Sequence, residues 1–157
     1  MAPTQVQEWL GKSVTTTEHL SRDLLNRVSA TLNHHPLGEG EPIPHLWQWC
    51  FFQPALPRDR LGRDGHPALG GFLPQAQNRN RMWAGGRVTF LKPLIVGAVA
   101  ERKSTIAAIK EKEGSTCKLL FVTVSHVYSQ LGEVCIKDEQ DIVYREPPCL
   151  KRRVRLV

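Results

Sequence analysis

The pattern of apolar and polar positions divides the chain at Arg81-Met82-Trp83-Ala84-Gly85-Gly86-Arg87-Val88-Thr89-Phe90. Upstream of it the pattern reads as helix and loop, downstream as strand. Leu20, Leu24, Val28 and Leu32 recur every fourth residue, the stripe of an amphipathic helix, with Arg22, Asp23, Asn26 and Arg27 on its other faces. Thr15 and Glu18 have the spacing of a capping box, which predicts a helix start at Thr15-Thr16-Thr17-Glu18. Pro36 places the helix end near Asn33, because the residue before a proline is pushed out of the helical region. Pro44 to Phe52 is dense in aromatics and apolar nearly all round, which predicts a buried helical segment with Pro44 in its first turn, bounded by Pro54 and Pro57. Residues 57–80 form a long polar loop, and such loops in compact domains usually serve a function or act as lids.

After the dividing stretch the period changes. Arg87 to Leu91 reads as a strand, and Ala98 to Lys110 alternates, with Glu101, Lys103 and Thr105 on one face. Lys118 to Tyr128 is apolar on both faces and reads as a central strand. A turn at Gln130-Leu131-Gly132 leads into Val134 to Tyr144. A helix followed by an antiparallel meander predicts an α+β fold, one sheet wrapped around a central helix. Residues 1–146 form the single domain and 147–157 a basic C-terminal tail.

Composition changes this picture little. At 157 residues the chain is long enough for one core. The net charge of +6 suits an anionic partner, but part of the excess lies in Lys151-Arg152-Arg153-Val154-Arg155. Nucleic-acid binding would rest on charge alone and is not expected. Cys50, Cys117, Cys135 and Cys149 are scattered with no Cys-x-x-Cys, so reduced thiols are expected and a zinc site is not. Met1 to Lys12 lacks an apolar secretory core and no run reaches membrane-spanning length, so a cytoplasmic protein with no membrane partner is expected.

Candidate chemistry is sparse. Gly11-Lys12-Ser13 ends like a phosphate-binding loop, but the first glycine of that motif would fall at Val6, which excludes it. His34 and His35 are adjacent, so they share no helix or strand face, and no carboxylate or cysteine stands beside them at ligand spacing. They read as a polar helix exit. Arg58, Arg60, Arg63, Arg79 and Arg81 include guanidinium groups suited to phosphates, although solvated charge accounts for the first three equally well. Trp47 and Trp49 carry indole N–H groups that seek a partner, and either can line a ligand cavity.

Several motifs in order carry a resemblance. They are Pro44-His45-Leu46-Trp47-Gln48-Trp49 with Phe51-Phe52, Gly65-His66-Pro67, Gly70-Gly71-Phe72-Leu73-Pro74, Arg81-Met82-Trp83-Ala84-Gly85-Gly86, and Glu139-Gln140-Asp141-Ile142-Val143-Tyr144-Arg145. Over about residues 5–146 the chain resembles MaoC-like hydratases and dehydratases of the hot-dog fold. It is most similar to the N-terminal half of mesaconyl-CoA or itaconyl-CoA hydratases and related 3-hydroxyacyl-thioester dehydratases. The resemblance implies reversible hydration of a 2-enoyl thioester: an Asp and a His activate water, and backbone N–H groups polarise the thioester carbonyl. It implies no metal or redox cofactor, coenzyme A thioester being the substrate. The family's signature, roughly Asp-x-Asn-Pro-x-His, falls on Asn33-His34-His35-Pro36-Leu37-Gly38, so Asn33 replaces the aspartate and Gly38 the histidine.

The resemblance therefore implies a substrate-binding half without the usual dyad, in a homodimer or a heterodimer with a catalytic hot-dog subunit. Trp47, Trp49, Arg81, Trp83, Gly85 and Gly86 are its expected substrate-side residues. The alternatives are a rearranged active site with His34, His35, His45 or His66 as base and Asp64 or Glu41 as helper, a hot-dog thioesterase, and a non-catalytic acyl-thioester binder.

Overall fold

The computed structural model describes residues 6–76, 79–113 and 118–146. The elements are β1 (Ser13–His19), α1 (Arg22–Thr31), β2 (Asn80–Phe90), β3 (Val99–Glu113), β4 (Lys118–Gln130) and β5 (Glu133–Arg145). All five strands form one antiparallel sheet in the order β1-β3-β4-β5-β2. The α+β class and the central place of β4 agree with the sequence pattern. Leu131 and Gly132, both at positive φ (53° and 79°), make the tight turn between β4 and β5.

The helix start is corrected. Val14-Thr15-Thr16-Thr17 is a β-branched run, and it forms β1 against β3, from Ser13↔Thr105 to His19↔Val99. Glu18 caps no helix; its carboxylate accepts the backbone N–H of Phe52. The N-cap is Ser21, whose hydroxyl accepts from Leu24 N–H at 3.2 Å. Of the expected stripe, Leu20 is buried just ahead of α1 and Leu32 is 59% exposed at its end, while the helix fully buries Leu25 and Ser29. An every-fourth-residue stripe drifts about 40° per step around a helix, so its two ends cannot share one buried face.

The aromatic segment is likewise not a helix. It makes a 3-10 turn at Trp47–Cys50, with Leu46 (φ 72°) before it and Phe52 (φ 62°) after it in the left-handed region. These breaks bury Gln48, Phe51 and Phe52 and leave Trp49 41% exposed. β2 starts at Asn80 rather than Arg87, so the dividing stretch is strand, with a bulge between Trp83 and Gly85.

The core has two parts. The first joins Leu20 and Leu25 to Phe51, Phe52, Ala100, Tyr128 and Ile136. The second joins Val6 and Ala76 to Ile106, Leu120, Val122 and Tyr144, with Phe72 and Leu73 of the long loop packed on it. α1 thus covers one end of the sheet's inner face and the loop the other. No helix among the described residues is long and apolar enough to cross a membrane. The tail, residues 147–157, lies outside the described residues.

Candidate functional site

Between the two core clusters the inner face of the sheet opens into a cavity of about 790 Å³. Its floor comes from alternate positions of the central strands: Arg102 and Ser104 of β3, His126 and Tyr128 of β4, Gln140 and Ile142 of β5. The register sets Arg102 opposite Tyr128 and Ser104 opposite His126, and His126 opposite Asp138. Loop residues such as Leu56, His66 and Phe72 form the far wall.

The floor is polar and partly saturated with hydrogen bonds. His126 Nδ1 and the Ser104 hydroxyl lie 2.7 Å apart. Burial, assisted by the Arg102 charge, pushes the His126 pKa down to about 4, so the ring is neutral at neutral pH. Burial and the nearby Asp138 push the Tyr128 phenol up to about 12. Asp138 is fully buried; its Oδ2 accepts from Trp49 Nε1 at 2.8 Å and from Gln140 Nε2 at 3.1 Å, while Oδ1 has no partner. Arg102 donates from Nη2 to the Phe52 carbonyl at 3.1 Å, with its guanidinium 5.3 Å from the Phe52 ring centroid. With Glu18 on the Phe52 N–H, both backbone groups of this left-handed residue are tied down.

At the mouth, Arg81 donates from Nε and Nη2 to Asp64 Oδ2 at 3.0 and 2.8 Å. The His66 backbone N–H donates to Asp64 Oδ1 at 3.2 Å. Burial pushes the Asp64 carboxyl up, but the His66 N–H and Arg81 outweigh it and hold the group below the usual aspartate value. The long loop is therefore anchored to β2 by an ion pair.

The expected substrate-side residues divide. Trp49, Arg81 and Trp83 line the cavity. Trp47 does not; it packs on the first core cluster and edge-on to His34, with centroids 5.2 Å apart. Gly85 and Gly86 are not on the lining either. A Cβ on Gly86 would stand 3.0 Å from the Glu139 carbonyl oxygen and 3.4 Å from the Trp83 ring, so this glycine lets β5 and the indole close in. The candidate bases are not brought together. The His34 and His35 rings lie 4.1 Å apart beyond the helix, tilted by 31°, and His45 stacks on Phe90 at 3.8 Å. Only His66 reaches a suggested helper, with Nδ1 3.8 Å from Asp64 Oδ2. No residue of the segment Asn33 to Gly38 lines the cavity. Among the described residues no three His, Cys, Asp or Glu side chains are grouped as metal ligands would be.

Sequence reasoning missed the polar floor itself, Arg102, Ser104, His126, Tyr128 and Gln140, and the fully buried Asp138 beside it. The available signal was the polar interruption of otherwise apolar alternate positions, as at His126 between Val124 and Tyr128.

This arrangement, a meander of long strands with a cavity on its helix side, defines a hot-dog protein. The chain matches the truncated HadBC 3R-hydroxyacyl-ACP dehydratase complex of Mycobacterium tuberculosis with a TM-score of 0.57 at 11% identity, over 85% of this chain and 96% of that one. It matches a MaoC-like dehydratase from Rhodospirillum rubrum with a TM-score of 0.50 at 17% identity, over 88% and 94%. At such identities the likeness establishes the fold. The sequence goes further: the model of the hydroxyacyl-thioester dehydratase type 2 family matches residues 46–156, and the chain belongs to that family. It is 39% identical over 142 residues to the mesaconyl-C(4)-CoA hydratase of Chloroflexus aurantiacus, covering 88% of this chain and 50% of the relative. The chain thus spans about half the length of that curated relative.

Proposed function

We propose that this chain is the substrate-binding unit of an acyl-thioester hydratase or dehydratase, working beside a second hot-dog unit that supplies an Asp/His pair. The observation that carries the reading is a large cavity that the signature slot does not reach. Asn33 and Gly38 hold neither a carboxylate nor an imidazole, and they lie off the cavity lining. Family membership and the relative of twice the length support the reading. HadBC, matched in fold, is itself a complex of two different chains.

In this reading the acyl chain enters past Arg81 and Trp83 and lies on the floor of the cavity. The thioester carbonyl stays near the mouth, where the partner's Asp and His activate water for addition to the enoyl double bond. This chain contributes orientation and exclusion of bulk water. The partner docks along β2, an outer strand of the sheet whose Met82 and Trp83 are 51% and 66% exposed.

The test is hydration of a short trans-2-enoyl-CoA, followed by loss of the conjugated thioester absorbance. The chain alone gives no turnover and a catalytic hot-dog subunit restores it. Turnover by the chain alone overturns the reading. If His66→Ala abolished that turnover, the rearranged site of His66 and Asp64 at the cavity mouth would take its place, and release of free thiol without hydration would identify a thioesterase.

A further inference from the structure

The far wall of the cavity is held less firmly than its floor. Residues 57–68 fold back on themselves as a small lobe. Leu61 and Pro67 bridge, the Gly62 N–H donates to the His66 carbonyl at 2.7 Å, and the Ala68 N–H donates to the Arg60 carbonyl at 3.0 Å. Gly65, at φ 75°, lets the tip turn. Asp64 Oδ1 accepts the His66 N–H inside the lobe, and Oδ2 takes Arg81 of β2. Among the described residues, this ion pair is the one hydrogen-bonded link from the lobe to the rest of the molecule. No residue of the lobe is buried, so little apolar packing holds it. Its flanks are fixed. Upstream, Phe51 and Phe52 lie in the first core cluster. Downstream, Phe72 and Leu73 pack on the second, and Lys12 Nζ donates to the Gly71 carbonyl at 2.7 Å. Gly70 stands between the lobe and that downstream anchor, at φ 99° and with nothing within 4 Å of where a Cβ would be.

We propose that residues 57–68 are a lid, hinged where they meet the two fixed flanks, with Gly70 as the downstream hinge and the Asp64–Arg81 ion pair as the latch. Asp64, His66, Pro67 and Ala68 line the cavity, so swinging the lobe outward widens the mouth beside Arg81 and Trp83. The two halves of the latch stand on different footing. Arg81 belongs to a strand paired with β5, opposite Tyr144, and its side chain is 12% exposed. Asp64 rides on the lobe with its side chain 42% exposed. Arg81 is therefore the fixed catch and Asp64 the moving part. A partly exposed ion pair contributes little to stability, so the lobe opens at small cost while the sheet and helix stay folded. The lid is independent of which ligand the cavity takes, and it stands or falls apart from the acyl-thioester reading.

The experiment is limited digestion of the full chain with trypsin at neutral pH. The lobe carries Arg58, Arg60 and Arg63, all exposed, and cleavage after them is followed by mass spectrometry. Cleavage of a locally opened segment tracks the open population. Asp64→Asn and Arg81→Gln are each expected to speed it about three- to fivefold, the range of a partly exposed ion pair. The double variant is no faster than the faster single one, because one latch can be lost only once. Lys92→Gln removes the ion pair to Glu133, beyond the other end of β2, and leaves the rate unchanged. The Tm of Asp64→Asn stays within about 2 °C of the wild-type value, since the lobe buries nothing. Wild-type rates in both single variants overturn the latch. Effects that multiply in the double variant overturn the pairing of Asp64 with Arg81. Faster cleavage matched by a fall in Tm overturns the lid, because trypsin is then reading global unfolding. Should Arg81→Gln fail to fold, Asp64→Asn decides.

Discussion

Replacing Trp49 with Phe is expected to cost about 2 kcal/mol of stability, nearly all of it from one hydrogen bond to a charged group. The buried Asp138 carboxylate has two donors, both on Oδ2, with Trp49 Nε1 the closer at 2.8 Å and Gln140 Nε2 at 3.1 Å. A solvated carboxylate is served at about four lone-pair sites, so this one is under-served even in the wild-type chain. Losing the indole N–H leaves a single donor in a place water does not reach. Packing contributes less, because Trp49 is 41% exposed and Phe retains most of the buried ring. For a chain of this size the loss corresponds to about 4–8 °C in Tm. Urea unfolding followed by far-UV circular dichroism measures it, with equal m-values confirming the same transition. Asp138→Asn keeps the volume and removes the charge, so Trp49→Phe in the D138N background should cost under about 1 kcal/mol. An unchanged midpoint for Trp49→Phe, or equal losses in both backgrounds, would refute the argument, since packing alone gives the same cost whatever stands at position 138.

Other perturbations follow from the same geometry. His126 is held neutral to about pH 4 by burial and Arg102, so below the ordinary value of 6.5 the unfolded chain binds a proton that the folded chain refuses. Stability from this group is full above pH 6.5 and falls toward pH 4 by a few kcal/mol, about 3 by simple linkage, and His126→Gln should flatten that part of a stability-pH curve. Asp141 is held below its ordinary 3.8 by the Thr123 hydroxyl, at 2.6 Å, and by Arg87. Its stabilisation is present above that value and fades as pH falls through the lower folded one, so Thr123→Ala should shrink the acid-induced loss that urea titrations record as pH falls below 3.8. Gly86→Ala drives a Cβ to 3.0 Å from a backbone oxygen, while Gly85→Ala meets nothing within 4 Å. Thermal melts should show a loss of about 1–3 kcal/mol for the first and no loss, or a gain of up to about 1 kcal/mol, for the second.

The meander was legible because strand alternation is local: Glu101, Lys103 and Thr105 are on one side of β3 wherever the rest of the chain goes. β1 was not, because Thr15 and Glu18 satisfy a helix-cap spacing while the β-branched run through Thr17 prefers a strand, and only pairing with β3 decides between them. The site was half legible. Trp49, Arg81 and Trp83 announce themselves by residue type. Arg102, Ser104, His126 and the buried Asp138 do not, since polar neighbours surround them in sequence, as in Glu101-Arg102-Lys103-Ser104-Thr105 and Lys137-Asp138-Glu139-Gln140-Asp141, and they come together only through a register that no single segment carries.

The position of that polar patch follows from length. A ten-residue helix such as α1 spans about 15 Å. The 13-residue β4 spans about 43 Å. Ser21 starts the helix late, because residues 13–19 are needed as an edge strand, and Pro36 prevents a long continuation. One helix of this size cannot cover the inner face. Along β3, β4 and β5 the inward residues follow the cover they receive: Ala100, Cys135 and Ile136 lie in the cluster with α1, and Ile106, Leu120 and Val122 in the cluster with the loop. Arg102, Ser104, His126, Asp138 and Gln140 fall between them. Apolar residues there would have faced an open cavity, and fully solvated ones would have needed no mutual hydrogen bonds. The strip that results is polar and in part mutually bonded, Ser104 with His126 and Gln140 with Asp138, and it lies between the part of the sheet packed with the helix and the part packed with the loop.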